Sequence, residues 1–410
     1  MEKVIGIIDL KSFYASCECA ARHLDPFKTP LVCCDPYRSG SSVVMSATPY
    51  LKEKYGIPNV CRKKDLPDVP GMIFAQPRMS YYLRISAQVV SIFLDFVAEE
   101  DLHIYSVDES FLNLGPYMRM YGVSAEEIIS RIQKRIKKEL GLTATAGIGP
   151  NMFLAKAALD NEGKKKPPYI ARWDYKDVPT KLWKIIPITK IWGISNGISS
   201  HLSKIGIHSL KELAFAPIEL LEKEFGIMGD QLHDMANGID NSDIEQAYVP
   251  MDRSLTLGQT LIRDYTQAEC HLLLREMTDE LCKRLRNENK LAGKISISIG
   301  GIDMGFYNKQ RALPISTDSP SYLYKAIDEL MMEGPVLDQV RHISIAYSSL
   351  EEAKCDQMIL FEDIPDERDL YEALDAIEAL YGSNAALRCS SLLPHSTIKE
   401  RHGQIGGHKR

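Results

Sequence analysis

The chain has 410 residues, 45% of them hydrophobic and 25% charged, and a formal net charge of −6. At roughly 100–200 residues per domain, that length predicts two to four domains; with no low-complexity tract, the composition excludes a disordered or fibrous protein. No apolar run approaches the roughly 18 residues that span a bilayer. The opening MEKVIGIIDL lacks a signal peptide's layout, and nine scattered cysteines without a CxxC pair read as reduced thiols rather than a zinc site. A cytoplasmic location with no membrane association is expected.

In chain order, residues 4–8 (VIGII) are a short apolar run ending at Asp9, as a buried strand with a carboxylate at its end would be. SFYASCECAARHL follows with helical spacing. From about 25 to 75 the chain is rich in Pro, Gly and Ser, with one helix expected near TPYLKEKYG. Helical periodicity returns at 80–98 and 124–140, the second charged along one face. Between them, LHIYSVDESFLNL (102–114) alternates apolar and polar residues as a half-buried hairpin does, and TATAGIG (143–149) reads as another short strand. Strand, helix, strand pair, helix, strand predicts an antiparallel sheet with helices on one face, an α+β arrangement.

Residues 175–240 read as helices with short loops, with Gly193 and Gly197 between the amphipathic stretches of ITKIWGISNGISSHLSKIGI. Residues 241–252 read as a linker. A second α+β unit is expected from LTLGQTLI, a helix at 267–288, KISISIGGI, QRALPIS, a helix at 321–332 and RHISIAYSSL. After 351 the composition turns acidic and loop-like: that segment holds 12 Asp+Glu against 7 Lys+Arg, leaving 42 basic and 43 acidic residues in 1–350. The larger part therefore permits a nucleic-acid groove, which needs local positive surface. The basic runs RIQKRIKK (131–138) and CKRLRNENK (282–290) are most simply solvated helix faces, and EGKKKPP (162–168) a basic loop.

The hairpin poses the chemical question. Strands are depleted in Asp, and two adjacent like charges repel, yet Asp108 and Glu109 stand side by side in its middle. A solvated turn would explain them. So would metal: with Asp9 on a neighbouring strand they make the set of acids that a two-metal phosphoryl-transfer site requires, since Mg²⁺ takes hard oxygen ligands and relieves the repulsion between carboxylates. By spacing alone many sheets carry three acids.

IDLKSFYASCE (8–18) and YSVDESFLNL (105–114) closely resemble the signature segments of Y-family translesion DNA polymerases, and FYASCE looks most like the UmuC-type (UmuC/DinB, ImpB/MucB/SamB) bacterial branch. The resemblance continues in TAGIGPNMFLAK, in the WGIS–G–IGI segment and in the second α+β unit, covering about 1–350. It implies a multidomain right-hand polymerase: a ferredoxin-like palm at 1–22 and 76–170, small fingers at 23–75, a helix-hairpin-helix thumb at 171–240, a linker at 241–252, a little finger at 253–350, and an acidic-to-mixed tail at 351–410.

Residue by residue, the resemblance implies that Asp9 and Asp108 bind two Mg²⁺ ions, that Glu109 holds the ion nearer the primer terminus, and that the Leu10 carbonyl completes one shell. Tyr14 matches the steric gate beneath the incoming sugar; Phe13 stands beside it and by period is a core aromatic. Tyr50 matches a triphosphate-binding tyrosine, and Lys164 a triphosphate-binding lysine, although the KKK run is offset by about a residue. Two positions depart from the pattern. Glu53 stands where relatives are usually basic, leaving Lys52 or Lys54 to reach the phosphates, and Lys11 stands where many carry Asn, Asp or a small residue. Gly193 and Gly197 would present backbone amides to DNA phosphate. Arg253, Arg263, Lys294, Lys309 and Arg311 would track the primer–template backbone. In DQMILFED, Gln357, Leu360 and Phe361 fit the pentapeptide that binds the bacterial sliding clamp. A small accessory subunit and a recombinase filament are further partners that UmuC-type resemblance implies, together with an SOS setting.

The expected activity is therefore template-directed addition of dNTPs opposite damaged DNA. Two rivals stand beside it: a nucleotidyl cyclase on a similar sheet, and an inert clamp- and DNA-binding regulator on the same fold.

Overall fold

The computed structural model describes residues 3–37, 42–58, 60–244, 246, 252–301, 305–353 and 367–410. The chain divides into two compact units, Met1–Ala247 and Tyr248–Arg410.

The first unit is built on a strand with no exposed residue. β1 (Ile5–Leu10) is buried along its whole length, because both its edges are paired and helices cover it; this explains its unbroken apolar run. It leads into α1 (Phe13–Ala21). Residues 25–75 hold more structure than their composition predicts. Leu31–Cys33 pairs with Ser46–Ala47 and Ile73–Ala75 in a small sheet, and α2 (Pro49–Tyr55) starts on Pro49 and ends at Gly56 in the left-handed region. α3 (Met79–Leu94) returns the chain to the main sheet, followed by the hairpin β2 (Leu102–Ile104) and β3 (Glu109–Asn113), α4 (Ala125–Leu140) and β4 (Ala144–Gly149). Along the sheet the strands run β4, β1, β3, β2, the order of a ferredoxin-like βαββαβ unit, and β5 (Ile170–Arg172) adds to β4 in parallel.

α5 (Met152–Ala158) lies almost flush on this sheet. A Cβ added to Gly147 would stand 2.0 Å from the Ala155 carbonyl oxygen, and one on Gly163 would stand 2.3 Å from that of Ala146. Beyond the sheet, α6 (Asn196–Lys204), α7 (Leu210–Ala214), α8 (Ile218–Phe225) and α9 (Ile227–Ala236) close a helical core around Leu202, Leu213, Leu221 and Leu232, which is continuous with Phe153 and Leu154 of α5 and with Ala171 of β5. The two-helix hairpin expected at 188–207 is only half present. Ile188–Lys190 is a single 3₁₀ turn, Gly193 takes φ +91° in the turn, and Gly197 lies inside α6. Ile188, Ile191 and Ile194 of that first stretch are buried in the helical core without forming a longer helix.

The second unit repeats the βαββαβ pattern: β6 (Leu255–Tyr265), α10 (Gln267–Asn287), β7 (Lys290–Gly300), β8 (Phe306–Thr317), α11 (Pro320–Met332) and β9 (Val340–Glu352), with strands in the order β6, β9, β7, β8. Ile295, Ile297 and Ile299 turn into the core under α10 and α11, so Lys294, Ser296 and Ser298 share the other face.

The acidic stretch expected as loop is largely folded. α12 (Arg368–Tyr381) and α13 (Ile398–His402) clasp α10. Arg286 Nε lies 2.7 Å from Asp375, Arg388 pairs through two nitrogens with Asp279 at 2.6 and 3.1 Å, and Lys283 pairs with Glu378. Arg401 reaches Glu276, which is buried. CKRLRNENK is thus no freely solvated face: Lys283 and Arg286 find their partners among the acids of the C-terminal segment, while Arg284 pairs with Glu280 of its own helix.

Gly147→Ala would force backbone against backbone, since Ala155 cannot move without lifting α5. Urea unfolding should show a loss of at least about 3 kcal/mol, whereas Gly197→Ala, whose Cβ meets nothing nearer than 3.7 Å, should be neutral or slightly stabilising.

Candidate active site

Antiparallel pairing sets Asp9 of β1 directly opposite Glu109 of β3, and opposite Thr145 of β4 on its other side. Register partners project to the same face about 5 Å apart, so two carboxylates meet across the ladder. Asp108 stands at the hairpin tip beside them. Its carbonyl accepts from the Leu10 amide at 2.9 Å, fastening the end of β1 to the tip. Ser106 Oγ donates to Asp108 Oδ1 at 2.8 Å and accepts from the Glu109 amide at 3.1 Å, which holds the two acids in a tight turn.

Like charges facing each other on a sheet are destabilising, and two lysines relieve them. Lys164 Nζ stands 2.9 Å from Asp9 Oδ2, 3.4 Å from Glu109 Oε1 and 2.9 Å from Asp160 Oδ1. Lys156 Nζ stands 2.5 Å from Glu109 Oε1 and 3.4 Å from Asp160 Oδ2. Burial pushes the Asp9 carboxyl up to about 7 even with Lys164 opposing it, and a hydrogen bond shared with Glu109 adds to the rise. Burial also pushes Glu109 upward, but the bonds from Asp9 and Lys156 outweigh it and hold that carboxylate below the ordinary range. Burial raises Asp108 as well, with Ser106 opposing.

Lys164 follows a π turn at Leu159–Gly163. The turn delivers the first lysine of the KKK run to Asp9. Lys165 and Lys166 are exposed.

Tyr14 is half-buried in the first turn of α1, its ring 4.9 Å from that of Tyr82 and 5.4 Å from that of Phe13, which is core. Beneath them lies Glu18, fully buried. It accepts from Arg78 at 2.9 and 3.0 Å, from Tyr82 at 2.8 Å and from Arg22. Burial opposes its ionisation; these three donors outweigh that and keep the carboxylate charged. Tyr50 accepts from Lys54 Nζ at 3.0 Å. The two departures, Lys11 and Glu53, face each other, Nζ to Oε1 at 3.9 Å.

The expected DNA-facing cations divide. Lys294 lies on the open face of the second sheet. Arg263 pairs with Glu269 at 2.6 Å, Arg311 with Glu329 at 2.9 Å and with Glu333, and Lys309 lies 3.8 Å from Glu333, so these three serve the helix-bearing side. Arg253 is exposed ahead of β6. Gln357, Leu360 and Phe361 fall outside the described residues.

Lys156, Asp160, Ser106, Thr145 and the Glu18–Arg78–Tyr82 cluster carry site geometry that spacing alone did not reveal. The i, i+4, i+8 run of Lys156, Asp160 and Lys164 is a signal that was there to find. Among the described residues no three His, Cys, Asp or Glu side chains already stand as a metal cage; Lys164 holds the space between Asp9 and Glu109. The donor set nonetheless fits a hard divalent cation: all oxygen and mutually repelling, with burial raising the Asp9 and Asp108 carboxyls.

The impB/mucB/samB family model matches residues 8–160 and its C-terminal domain model residues 252–360. The chain belongs to this family. It is 38% identical over 412 residues to UvrX of Bacillus subtilis, provisionally named for UV-damage repair, covering 99% of this chain and 98% of that one. It is 32% identical to DNA polymerase IV 2 of the same organism, covering 99% of each. A solved Y-family DNA polymerase chimera superposes with a TM-score of 0.68 at 20% identity, over 85% of this chain and 99% of that one. The family's fold is thus present in both sheet units.

In metal-free protein, Asp9 keeps a proton when folded that it loses when unfolded between pH 3.8 and about 7. Its contribution to stability therefore falls as pH rises through that window. Urea unfolding in chelator should show Asp9→Asn gaining on the wild type between pH 5 and 8, and added Mg²⁺ stabilising the wild type more at pH 8 than at pH 5.

Proposed function

We propose that this chain is a template-directed DNA polymerase of the error-prone translesion type, acting in DNA repair and binding primer–template DNA and deoxynucleoside triphosphates. The observation that carries this reading is the pairing of Asp9 with Glu109 across adjacent strands, Asp108 beside them, in a member of this family. The family implies dependence on divalent metal. Two Mg²⁺ ions on Asp9, Asp108, Glu109 and the Leu10 carbonyl would supply charge neutralisation at the α-phosphate and acidify the primer 3′-hydroxyl.

The chain's own side chains do the positioning. Tyr14, backed by Tyr82, forms a rigid floor that a ribose 2′-hydroxyl would strike. Lys164 exchanges its carboxylate contacts for phosphate, and Tyr50 adds a donor on the opposite wall. The palm is 1–22 with 76–170, the fingers 23–75, the thumb 171–240 and the little finger 253–350. The Gly193 turn with the start of α6, and Lys294 with the small polar face of the second sheet, contact the DNA backbone; Arg253 and, at the sheet margins, Arg263, Lys309 and Arg311 lend positive field. Gln357, Leu360 and Phe361 engage a sliding clamp, an accessory subunit and recombinase filament modulate the enzyme, and it works in the cytoplasm. No observation favours the inert regulator: the departures that suggested it, Lys11 and Glu53, compensate each other.

Primer extension with Mg²⁺ and dNTPs on undamaged and abasic templates tests the reading. Asp108→Ala with Glu109→Ala should lower incorporation by at least about a thousandfold, and clamp should raise processivity only while residues 357–361 are intact. Retained extension in the double variant would end the assignment of these acids.

A further inference from the structure

We propose that Lys11 is a phosphate ligand for the incoming nucleotide, replacing from the β1 side the cation that position 53 does not supply. The inference rests on the polymerase reading above. The family resemblance implies a cation at position 53; here a carboxylate stands there, which by itself would repel a triphosphate. The unexpected lysine meets it: Lys11 Nζ lies 3.9 Å from Glu53 Oε1. Base and acid face each other across this gap, so the pair carries no net charge.

Lys11 is held for the task rather than spent on its neighbour. An ammonium has three donors, and only one acceptor among the described residues lies within hydrogen-bond distance, the Lys164 carbonyl at 2.9 Å. At 3.9 Å Glu53 is beyond hydrogen-bond reach. The Tyr169 ring, 4.9 Å away, supports the stem side of the ammonium. The Lys11 side chain is 16% exposed and that of Glu53 64%. An ion pair with one partner so exposed contributes little, so a polyanion readily displaces Glu53. The bond to the Lys164 backbone matters most: it ties Lys11 to the residue whose own ammonium touches Asp9, so both cations stand beside the acids. Charge-assisted bonds to phosphate are stronger than neutral ones.

The full chain should be assayed for single-nucleotide incorporation, with binding of inorganic tripolyphosphate measured in parallel by calorimetry. Lys11→Ala should raise the dNTP KM, and the tripolyphosphate Kd, about ten- to a hundredfold, while kcat falls far less. Adding Glu53→Arg to that variant should restore most of both, because it returns the cation to the other wall. A Lys11→Ala protein with unchanged KM and Kd, or with a lower melting temperature and kcat and no rescue by Glu53→Arg, would make Lys11 a structural tie of the 164 loop and overturn the proposal. The tripolyphosphate arm needs no turnover, so it decides the Lys11 question even if extension fails and the polymerase reading falls with it.

Discussion

Two carboxylates facing each other across one antiparallel register are the constraint around which the first unit is arranged. Asp9 and Glu109 would repel in any sheet, and burial sharpens the conflict by withholding water. The surroundings answer with two lysines, Lys156 on α5 and Lys164 after the π turn, bridged by Asp160. α5 and that turn lie against β4 with almost no spacing, and Gly147 and Gly163 sit at the contact. The glycines, the π turn and the lysines are consequences of one electrostatic problem. The same arrangement makes the site responsive to cations, because lysine ammonium groups provide a balance that a divalent ion can take over.

Much of this was legible in the sequence because strands and helices announce themselves by period. VIGII, SFYASCE, the 124–140 helix and the second unit all lie within a few residues of their expected places, since each buries an apolar face continuous in sequence. The acids were legible because carboxylates in a strand are anomalous. What spacing could not convey was register. Nothing in one dimension says that Thr145 rather than Thr143 opposes Asp9, or that Ser106 braces the hairpin tip. The π turn that sets Lys164 beside Asp9 has no mark in the spacing either.

The misreadings have a common origin. CKRLRNENK looked like a solvated helix face and residues 351–410 like an acidic tail, each judged on its own. Charge complementarity between segments about 90 to 120 residues apart appears only when they meet: Arg286 with Asp375, Arg388 with Asp279, Arg401 with Glu276. Lys309 and Arg311 lie at positions of β8 that alternation turns toward the helix-bearing side, where Glu333 and Glu329 pair with them. Sign of charge was a poor guide wherever a partner lay across the fold.

The clasp of α12 and α13 onto α10 makes the C-terminal segment part of the second unit's fold. Ala353 donates its amide to Asn289 at 3.0 Å, and Glu367 accepts from Ser321 Oγ at 2.6 Å. Asp375, Glu378, Arg388 and Arg401 then meet the charged residues of α10. Truncation before residue 367 would therefore bare the charged face of that helix and cost the second unit stability, as the loss of a loose tail would not.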